Sequence, residues 1–463
     1  MRYQSTRGEA PELGFEDVLL TGLARDGGLY VPTHWPQLST GTLRKLRGAS
    51  YESVAFTVLY PFIAGAVPDA ELKSMLASAY GSFGHPAVAP LKQLDDQQWL
   101  LELFHGPTLA FKDVAMQLLS RLMDWALAKR RTRATIIGAT SGDTGGAAIE
   151  AFKASQHVSI FILHPHGRVS DVQRRQMTTV VSPTVHNIAV EGNFDDCQAI
   201  VKALFNDHKF RDGVNLAGVN SINWGRIMAQ IVYYVTAAIS LGAPDRHVSF
   251  CVPTGNFGDI FAGLVAKRMG VPIDRLIIAV NVNDIIHRAL VTGHYEIRGV
   301  TPSSSPSMDI QVSSNFERLL FEAHNRDAGA VRRLMASLAQ SGAFHIGDRE
   351  LAVIIQEFDS GATDEAATAA TIRETLAATG ELLDPHTAVA YGVARARASS
   401  AGVMVTLATA HPAKFPDAVE RAAGVRPGLP QRLAHLLSAP ERYTVLPNSS
   451  KAVRDYIEAN RAA

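Results

Sequence analysis

The sequence contains few cysteines and carries no net charge, and each absence excludes a class of protein. Only Cys197 and Cys251 occur among 463 residues, which excludes a disulfide framework and a thiolate zinc site. We expect both cysteines to be reduced and buried. Lysine plus arginine and aspartate plus glutamate both number 44, so no overall field attracts nucleic acid or an anionic membrane. An anionic ligand must therefore be held by a local group of residues.

Long apolar segments are also missing. No stretch approaches the length of a membrane-spanning helix, and the opening residues, MRYQSTRGEAPELG, lack the apolar core of a signal peptide. A cytoplasmic protein is the simplest expectation. Hydrophobic residues make up 47% of the chain and charged residues 19%. Because a chain of 463 residues is too long for a single ordinary hydrophobic core, we expect a globular protein of two or three domains.

Short apolar runs alternate with helical patterns from Ala134 onward. The first runs are ATIIGA, VSIFILH, VHNIAV and VNLAGV. A predicted helix over residues 224–241 leads to a second set: VSFCV, RLIIAVNV and, much later, VMVTLAT. Alternation with continuous apolar strands predicts parallel sheets covered on both faces. The natural ligand site of such a fold is the crevice at the carboxyl ends of the strands.

We therefore predict an α/β fold with two parallel-sheet domains and an N-terminal extension domain. The expected ranges are 1–95 for the N-terminal domain, 134–240 for the small α/β domain, 96–133 with 241–430 for the large domain, and 431–463 for a C-terminal helical tail. The segment TPSSSPSMDIQ, residues 301–311, is either an ordered functional loop or a flexible one. Its serine-rich composition slightly favours the flexible interpretation.

A glycine-rich loop, GATSGDTGG at residues 138–146, directly follows one predicted strand and opens a helix. Small residues let backbone amides approach a ligand, and the helix N-terminus favours an anion. The hydroxyls of Thr140, Ser141 and Thr144 suit a carboxylate or a phosphate. The loop is neither GxGxxG nor a P-loop, so dinucleotide or triphosphate binding does not follow.

A second loop, PTGNFGD at residues 253–259, also follows a strand and opens a helix. Gly255 and Gly258 bracket a tight turn whose amides could form an anion nest. Either loop alone is more often a strand-to-helix turn that requires positive φ. Two such loops in separate α/β units favour a shared ligand in the crevice.

Two further motifs follow predicted strands. In NSINWGR, residues 220–226, amides, a hydroxyl and an arginine suit a phosphate, but helix capping by Asn223 with a solvated Arg226 is equally expected. In ATAHPAKF, His411 is expected to be a structural turn residue. Lys414 could bind a phosphate, although a solvated lysine is the commoner outcome.

Lys112 stands at the start of an amphipathic helix, after the turn HGPT with Thr108 as the expected N-cap. The helix dipole disfavours a cation in this first turn, and burial would lower the pKa of the amine further. A neutral amine forms Schiff bases with carbonyls such as pyridoxal phosphate. If Lys112 is considered alone, the preferred interpretation is a surface lysine beside Asp113. We assign no catalytic role to His105. The two predicted anion-binding loops make a cofactor-binding role for Lys112 the better interpretation.

Taken together, these motifs resemble the threonine synthases of the larger fungal and bacterial type. They are HGPTLAFKD (105–113), GATSGDTGG, NSINWGR, PTGNFGD and TAHPAKF (409–415). DGGLYVP (26–32), SMDIQVSSNFERLLF (307–321) and DPHTAVAYG (384–392) also resemble this family, in its order and over essentially the whole chain. Threonine synthases are pyridoxal-phosphate enzymes of the tryptophan-synthase-β structural group. The resemblance implies a type II-like fold with pyridoxal 5′-phosphate between the two α/β domains.

The resemblance also implies roles for individual residues. Lys112 would carry the cofactor as a Schiff base and then act as acid and base, and Thr409 would face the pyridine nitrogen. The expected cofactor-binding residues are Lys112, Phe111, Asp143, Gly255, Asn256, Phe257, Gly258, Asp259 and Thr409. The expected substrate-binding residues are Thr140, Ser141, Gly142 and Thr144 for the α-carboxylate, and Asn220, Ser221, Asn223 and Arg226 for the substrate's phosphate. No metal is expected.

Asp143 departs from the wider structural group, in which many members place an asparagine beside the cofactor's phenolic oxygen. Two anions there would repel each other, so either a proton is shared or the carboxylate points elsewhere. The larger threonine synthases share this aspartate, so it does not argue against the family.

The implied activity is that of a carbon–oxygen lyase acting on phosphates, in the last step of threonine biosynthesis. O-phospho-L-homoserine and water would give L-threonine and phosphate, by γ-elimination and then addition of water at the β-carbon. No nucleic-acid or membrane partner is expected. A threonine or serine dehydratase is the nearest rival and needs no second phosphate site, so residues 220–226 discriminate. A binding protein without turnover is the other alternative, which the intact Lys112 disfavours.

Overall fold

Two large sheets organise the chain in the computed structural model, which describes residues 1–63, 65–397 and 402–461. The strands are β1 (Tyr3–Ser5), β2 (Tyr30–Pro32), β3 (Leu91–Gln93), β4 (Gln98–Glu102), β5 (Ala134–Ala139), β6 (Val158–Pro165), β7 (Val185–Glu191), β8 (Leu216–Ala217), β9 (Val248–Pro253), β10 (Ile273–Val280), β11 (His294–Glu296), β12 (Ala343–His345), β13 (Phe358–Ala362), β14 (Val403–Ala408) and β15 (Thr444–Pro447).

Helices cover the sheets and form most of the N-terminal region. They are α1 (Phe15–Thr21), α2 (Thr40–Lys45), α3 (Tyr51–Ile63), α4 (Asp69–Tyr80), α5 (Lys112–Arg130), α6 (Asp143–Phe152), α7 (Asp171–Thr178), α8 (Phe194–Asn206), α9 (His208–Gly213), α10 (Trp224–Ser240), α11 (Gly258–Arg268), α12 (Ile285–Thr292), α13 (Phe316–Ala323), α14 (Ala328–Ser341), α15 (Asp348–Glu357), α16 (Glu365–Thr379), α17 (Pro385–Arg395), α18 (Pro416–Ala423) and α19 (Ser450–Asn460). Short 3-10 helices span Pro306–Met308, Pro412–Lys414 and Gln431–Leu437.

The larger sheet has the strand order β13-β10-β9-β14-β4-β3. All neighbours are parallel except β3, which pairs antiparallel with β4 at the edge. The smaller sheet has the order β15-β7-β6-β5-β8 and is parallel throughout. Every residue of β6 is buried, as expected for a parallel strand covered on both faces. The predicted α/β class with two parallel sheets is confirmed, and each predicted apolar run contains a strand.

The domain boundaries given above stay a prediction, and two strands bear on them. β3 lies within residues 1–95 but pairs with β4 of the larger sheet. β15 lies in the C-terminal tail, where helix was expected, and pairs with β7 of the smaller sheet. Both ends of the chain therefore contribute a strand to a sheet.

The N-terminal region packs on α10 through an aromatic cluster. Trp224, which is fully buried, has ring centroids 6.0 Å from Tyr3, 5.7 Å from Phe62 and 6.1 Å from Trp35. The Tyr3 hydroxyl donates to the Phe62 carbonyl at 2.8 Å. α10 also packs against α3, α5 and α11, so the helix predicted over 224–241 is the central support between the N-terminal region and the larger sheet.

Cys197 and Cys251 are both free and buried, as predicted. Within the described part of the chain, no helix has the length and apolar character to cross a membrane.

Replacing Trp224 with alanine should destabilise the fold strongly, because it removes the largest fully buried side chain from the aromatic cluster. We expect the free energy of unfolding, measured by denaturant titration, to fall by about 3–5 kcal/mol. Val291→Ala, at a side chain that is 67% exposed, is the control and should change it by less than about 0.5 kcal/mol. Equal effects of the two substitutions would contradict the packing described here.

Candidate active site

A cavity of about 540 Å³ opens between the two sheets. Its wall includes the ends of β5 and β9 and the residues that follow β14, among them Ala139, Pro253 and Thr409. The cavity thus lies at the carboxyl ends of strands from both sheets, which is where the topology predicts a ligand site.

Lys112 is the first residue of α5 and lies in this cavity. The residue is only 8% exposed. Burial lowers the pKa of its amine, and the cations of Lys414 and Arg226 lower it further, whereas the carboxylate of Asp143 opposes the shift. The ring centroid of Phe111 lies 4.8 Å from Nζ. The lysine is therefore a buried amine with a weakened hold on its proton, as the sequence predicts.

The cap of this helix differs from the prediction. Phe111 is the N-cap and makes no side-chain capping bond. Thr108 instead donates its backbone N–H and its hydroxyl to the two carboxylate oxygens of Asp113, each at 2.7 Å. Burial raises the pKa of Asp113 to about 6. Asp113 is fully buried and Lys112 is nearly so, which shows that the alternative of a surface lysine beside Asp113 is wrong.

Asp143, the first residue of α6, forms an ion pair with Lys414. Lys414 Nζ lies 3.0 Å from Asp143 Oδ1, and Lys112 Nζ lies 3.5 Å from Oδ2. Gln173 Nε2 also donates to Oδ1 at 2.9 Å. Although burial opposes ionisation, the two lysines hold the pKa of Asp143 well below its usual range.

This ion pair corrects two expectations. Lys414 is fully buried and is neither solvated nor free to bind a phosphate, because its Nζ also donates to the Thr108 carbonyl at 2.7 Å and to Gln176 Oε1 at 2.9 Å. Asp143 borders the cavity and does not turn away from it, and the neighbouring lysines favour its ionised form. A cation from the segment after β14 neutralises it instead.

The loop from Gly255 to Asp259 borders the cavity and offers free donors. None of its backbone N–H groups has an acceptor within the described ranges, and α11 begins at Gly258 with its N-terminus toward the loop. A Cβ on Gly255 would lie 2.8 Å from the Ser307 carbonyl oxygen, so only glycine fits there. Phe257 has φ 63° at the N-cap position. The loop has the open amides that an anion requires.

The side chains of Thr409 and Asp259 differ in whether they are free to bind a ligand. Thr409 borders the cavity, and its hydroxyl makes no hydrogen bond with the described residues. Asp259, in contrast, accepts hydrogen bonds from the hydroxyls of Tyr233 and Tyr234, the latter at 3.0 Å. Burial raises the pKa of Asp259 to about 6. The backbone N–H of Asp259 is therefore free for a ligand, while its carboxyl group is hydrogen-bonded to the two tyrosines of α10.

The first glycine-rich loop is only partly at the cavity. Thr144 and Asp143 border it. Thr140 is buried, and its hydroxyl accepts the N–H groups of Gly142 and Gly145, each at 2.9 Å. Ser141 is exposed. The cavity wall therefore does not include Thr140, Ser141 or Gly142. The Thr140 hydroxyl instead stabilises the turn.

The motif at 220–226 combines both of its expected outcomes. Asn223 caps α10 by accepting from Gly225 N at 2.9 Å, and it donates to the Leu19 carbonyl at 2.9 Å. Arg226, however, is buried and borders the cavity with Asn220 and Ser221. The capping half of the alternative is confirmed and the solvated arginine is wrong.

Arg226 is the most informative charge in the cavity. Its guanidinium donates one bond, to the Val219 carbonyl at 3.2 Å, and its Nε has no partner. No carboxylate of the described residues lies within 4 Å. Burial lowers its pKa to about 10. A buried cation without a counter-ion is costly, so the charge of Arg226 suits an anionic ligand in this cavity.

Sequence reasoning missed one wall of the cavity, on α8. Phe194, Gln198, Val201, Lys202 and Phe205 border the cavity. They recur at helical spacing, while Cys197, Ile200 and Leu204 on the other face pack into the smaller sheet's core. Apolar residues on both faces of FDDCQAIVKALF were the available signal, because a surface helix needs only one apolar face.

It also missed Ser307 and His386, which both border the cavity. The loop at 301–311 is not flexible as favoured above: Asn281 Nδ2 donates to Ser303 Oγ, Ser305 Oγ and Asp309 Oδ1 at 2.8–2.9 Å. Both residues stand in motifs that carry the family resemblance, but nothing local shows which side chains face the ligand. Their place depends on contacts between distant segments.

Comparison with known proteins agrees with this geometry. Three family models match in succession: "Threonine synthase N terminus" at residues 2–80, "Pyridoxal-phosphate dependent enzyme" at 85–410 and "Threonine synthase, C-terminal" at 387–457. The threonine synthase of Pseudomonas aeruginosa is 56% identical over 459 residues, covering 99% of this chain and 98% of that protein.

Solved structures give the same result. The crystal structure of threonine synthase from Brucella melitensis with bound pyridoxal phosphate is 61% identical, with a TM-score of 0.99 and full coverage of both chains. The yeast threonine synthase structure is 38% identical, with a TM-score of 0.95 over 99% of this chain and 98% of that one. Together with the cavity and its buried lysine, these likenesses show that the chain belongs to the threonine synthase family of pyridoxal-phosphate-dependent enzymes.

Proposed function

We propose that this protein converts O-phospho-L-homoserine and water to L-threonine and phosphate, with Lys112 as the residue that holds pyridoxal 5′-phosphate. The observation that carries the proposal is that one cavity contains both a buried amine with a lowered pKa and the unpaired, buried guanidinium of Arg226. The amine suits an aldehyde cofactor, and the guanidinium suits a phosphate on the substrate.

The cavity residues fit the cofactor. An aldehyde requires an amine that can lose its proton, and burial lowers the pKa of Lys112. A phosphate ester requires several donors around a helix N-terminus, which the amides from Gly255 to Asp259 supply. The free hydroxyl of Thr409 suits a neutral ring nitrogen. When bound, the cofactor supplies an electron sink for negative charge that develops on the substrate carbons.

The protein's own residues then divide the remaining work. Lys112 Nζ would hold the cofactor's aldehyde and, when free, would accept the substrate's α-proton and assist the removal of a β-proton. Asp143, kept ionised by Lys414, stabilises positive charge on this amine at 3.5 Å. Phe111 covers one side of Nζ and excludes water there.

The substrate's two anionic groups are assigned to different segments. Asn220, Ser221 and Arg226 form the phosphate subsite, supported by their shared place in the cavity wall. The helix N-terminus at Asp143 and Thr144 forms the α-carboxylate subsite, with Thr140, Ser141 and Gly142 shaping the turn. A dehydratase needs no second phosphate site, so the unpaired Arg226 favours the phosphorylated substrate.

Lys112→Ala should abolish threonine formation and the visible absorbance of the bound cofactor, because Lys202, the other lysine on the cavity wall among the described residues, makes no ion pair with Asp143. The assay incubates pure protein with phosphohomoserine and measures threonine and inorganic phosphate in parallel. The control is Lys153→Ala, at a surface lysine paired with Glu150, which should keep both activity and absorbance. Full activity of Lys112→Ala would refute the proposed function.

Arg226→Met should raise the KM for phosphohomoserine about 10- to 100-fold, because it removes a charge-assisted contact to the phosphate. Arg226→Lys should recover part of the loss. Initial-rate kinetics separate this effect from a loss of kcat. An unchanged KM, or equal use of unphosphorylated homoserine by the native protein, would mean that the phosphate subsite is assigned wrongly.

Lys414→Met should destabilise the fold by about 3–5 kcal/mol at neutral pH, since it breaks a buried ion pair. The pKa of Asp143 is lower in the folded chain than in the unfolded one, near 3.9. The pair therefore contributes its full stability above about pH 4 and loses it as the pH falls further. Without Lys414 the folded pKa rises, so the difference between variant and native protein should narrow below about pH 4. A pH-independent difference in unfolding free energy would contradict the pairing.

A further inference from the structure

Ser307 lies where the loop at 301–311 meets the reactive amine. Its Oγ is 3.5 Å from Lys112 Nζ and 3.3 Å from Asp143 Oδ2. A hydroxyl has one proton, and an ionised carboxylate only accepts. Ser307 therefore donates to Asp143 and accepts an N–H from Lys112.

These contacts account for both N–H bonds of a neutral lysine amine. One points to Ser307 Oγ and the other to Asp143 Oδ2, each with a donor–acceptor distance of 3.5 Å. With both hydrogens directed, the lone pair of Nζ has one remaining direction. An amine fixed in this way is oriented before it meets an aldehyde.

The position of Ser307 is itself determined by a buried histidine. The backbone N–H of Ser307 donates to His386 Nε2 at 3.2 Å. Nδ1 of the same ring donates to Asp384 Oδ1 at 2.8 Å, which assigns the proton to Nδ1 and leaves Nε2 as an acceptor. His386 is 3% exposed and Asp384 is 1% exposed.

Further contacts hold this arrangement in place. Asp384 caps α17 by accepting the N–H groups of His386 and Thr387, so its carboxylate has a fixed direction. The His386 ring packs against Phe415, with centroids 4.8 Å apart. On the other side, the Ser307 carbonyl approaches Gly255 so closely that no side chain fits between them. The loop therefore has little freedom to move Ser307 away from Lys112.

We propose that Ser307 is a further catalytic residue, whose hydroxyl directs the lone pair of Lys112 Nζ, and that His386 is the positioning residue that holds Ser307 there. The inference rests on the proposed function, since it concerns the amine that receives the cofactor. No bond is made or broken by Ser307. Its hydroxyl keeps its proton toward Asp143 throughout.

The test measures how fast the full-length apoprotein captures pyridoxal 5′-phosphate, followed by stopped-flow absorbance. Ser307→Ala should slow capture about tenfold, on the order expected for one directed hydrogen bond, without lowering the thermal unfolding temperature. Ser307→Thr, which restores a hydroxyl, should recover most of the rate. A side chain needed only for folding would not give this pattern.

Two matched substitutions complete the experiment. Ser304→Ala removes a hydroxyl from the same loop that makes no hydrogen bond with the described residues, and it should capture the cofactor at the native rate. His386→Gln keeps an acceptor for the Ser307 N–H and should stay near the native rate, whereas His386→Leu should approach Ser307→Ala. If Ser307→Ala is poorly folded, Ser307→Cys takes its place with the same expected loss.

The outcomes separate the two proposals. Capture by Ser307→Ala within twofold of the native protein and of Ser304→Ala overturns the role of Ser307. Native protein that captures no cofactor, or Lys112→Ala that captures it equally well, overturns the proposed function instead.

Discussion

The enclosed ion pair between Lys414 Nζ and Asp143 Oδ1, 3.0 Å apart, is the interaction on which the rest of the site depends. It places one negative charge beside Lys112 in a cavity that otherwise gathers cations. Without Asp143, burial and two neighbouring cations would all oppose a proton on the Lys112 amine. Without Lys414, the buried carboxylate would lose the cation that does most to keep it ionised. The pair thus leaves the amine able both to give up a proton and to take one back.

The N-terminal region helps to position residues 220–226, the segment that presents Arg226 to the cavity. Arg318 is fully buried and forms no ion pair with a carboxylate of the described residues; it donates to the backbone carbonyls of Tyr30 at 2.9 Å and Ile222 at 2.7 Å. Asn223 donates to the Leu19 carbonyl. Two carbonyls of the N-terminal region are therefore bonded, directly or through one arginine, to the segment that presents Arg226. These bonds restrict the segment before a ligand binds. The segment therefore loses less conformational entropy when Arg226 contacts a ligand, and the free energy of binding is more favourable.

Local patterns were sufficient for β5 to β10 and β14, for the two glycine-rich loops and for the placement of Lys112 at a helix start, but not for β4, β13 or β15. They depend on near neighbours in sequence, namely apolar periodicity, glycine and the residues that open a helix. The environment of Lys414 was predicted wrongly because it depends on Asp143, which is 271 positions away in the sequence. Ser307 was missed because it depends on Lys112, which is 195 positions away. The N-cap was misjudged because the Thr108 hydroxyl is engaged by Asp113. Assignment of the substrate came from the family resemblance, and Arg226 supports it physically.

Chemical trapping tests the central claim most directly. The protein saturated with pyridoxal 5′-phosphate is reduced with borohydride and digested, and the modified peptide is identified by mass spectrometry. A single pyridoxyl group on Lys112 is the predicted result. Modification of Lys414, Lys202 or any other lysine in place of Lys112, or no modification at all, would contradict it.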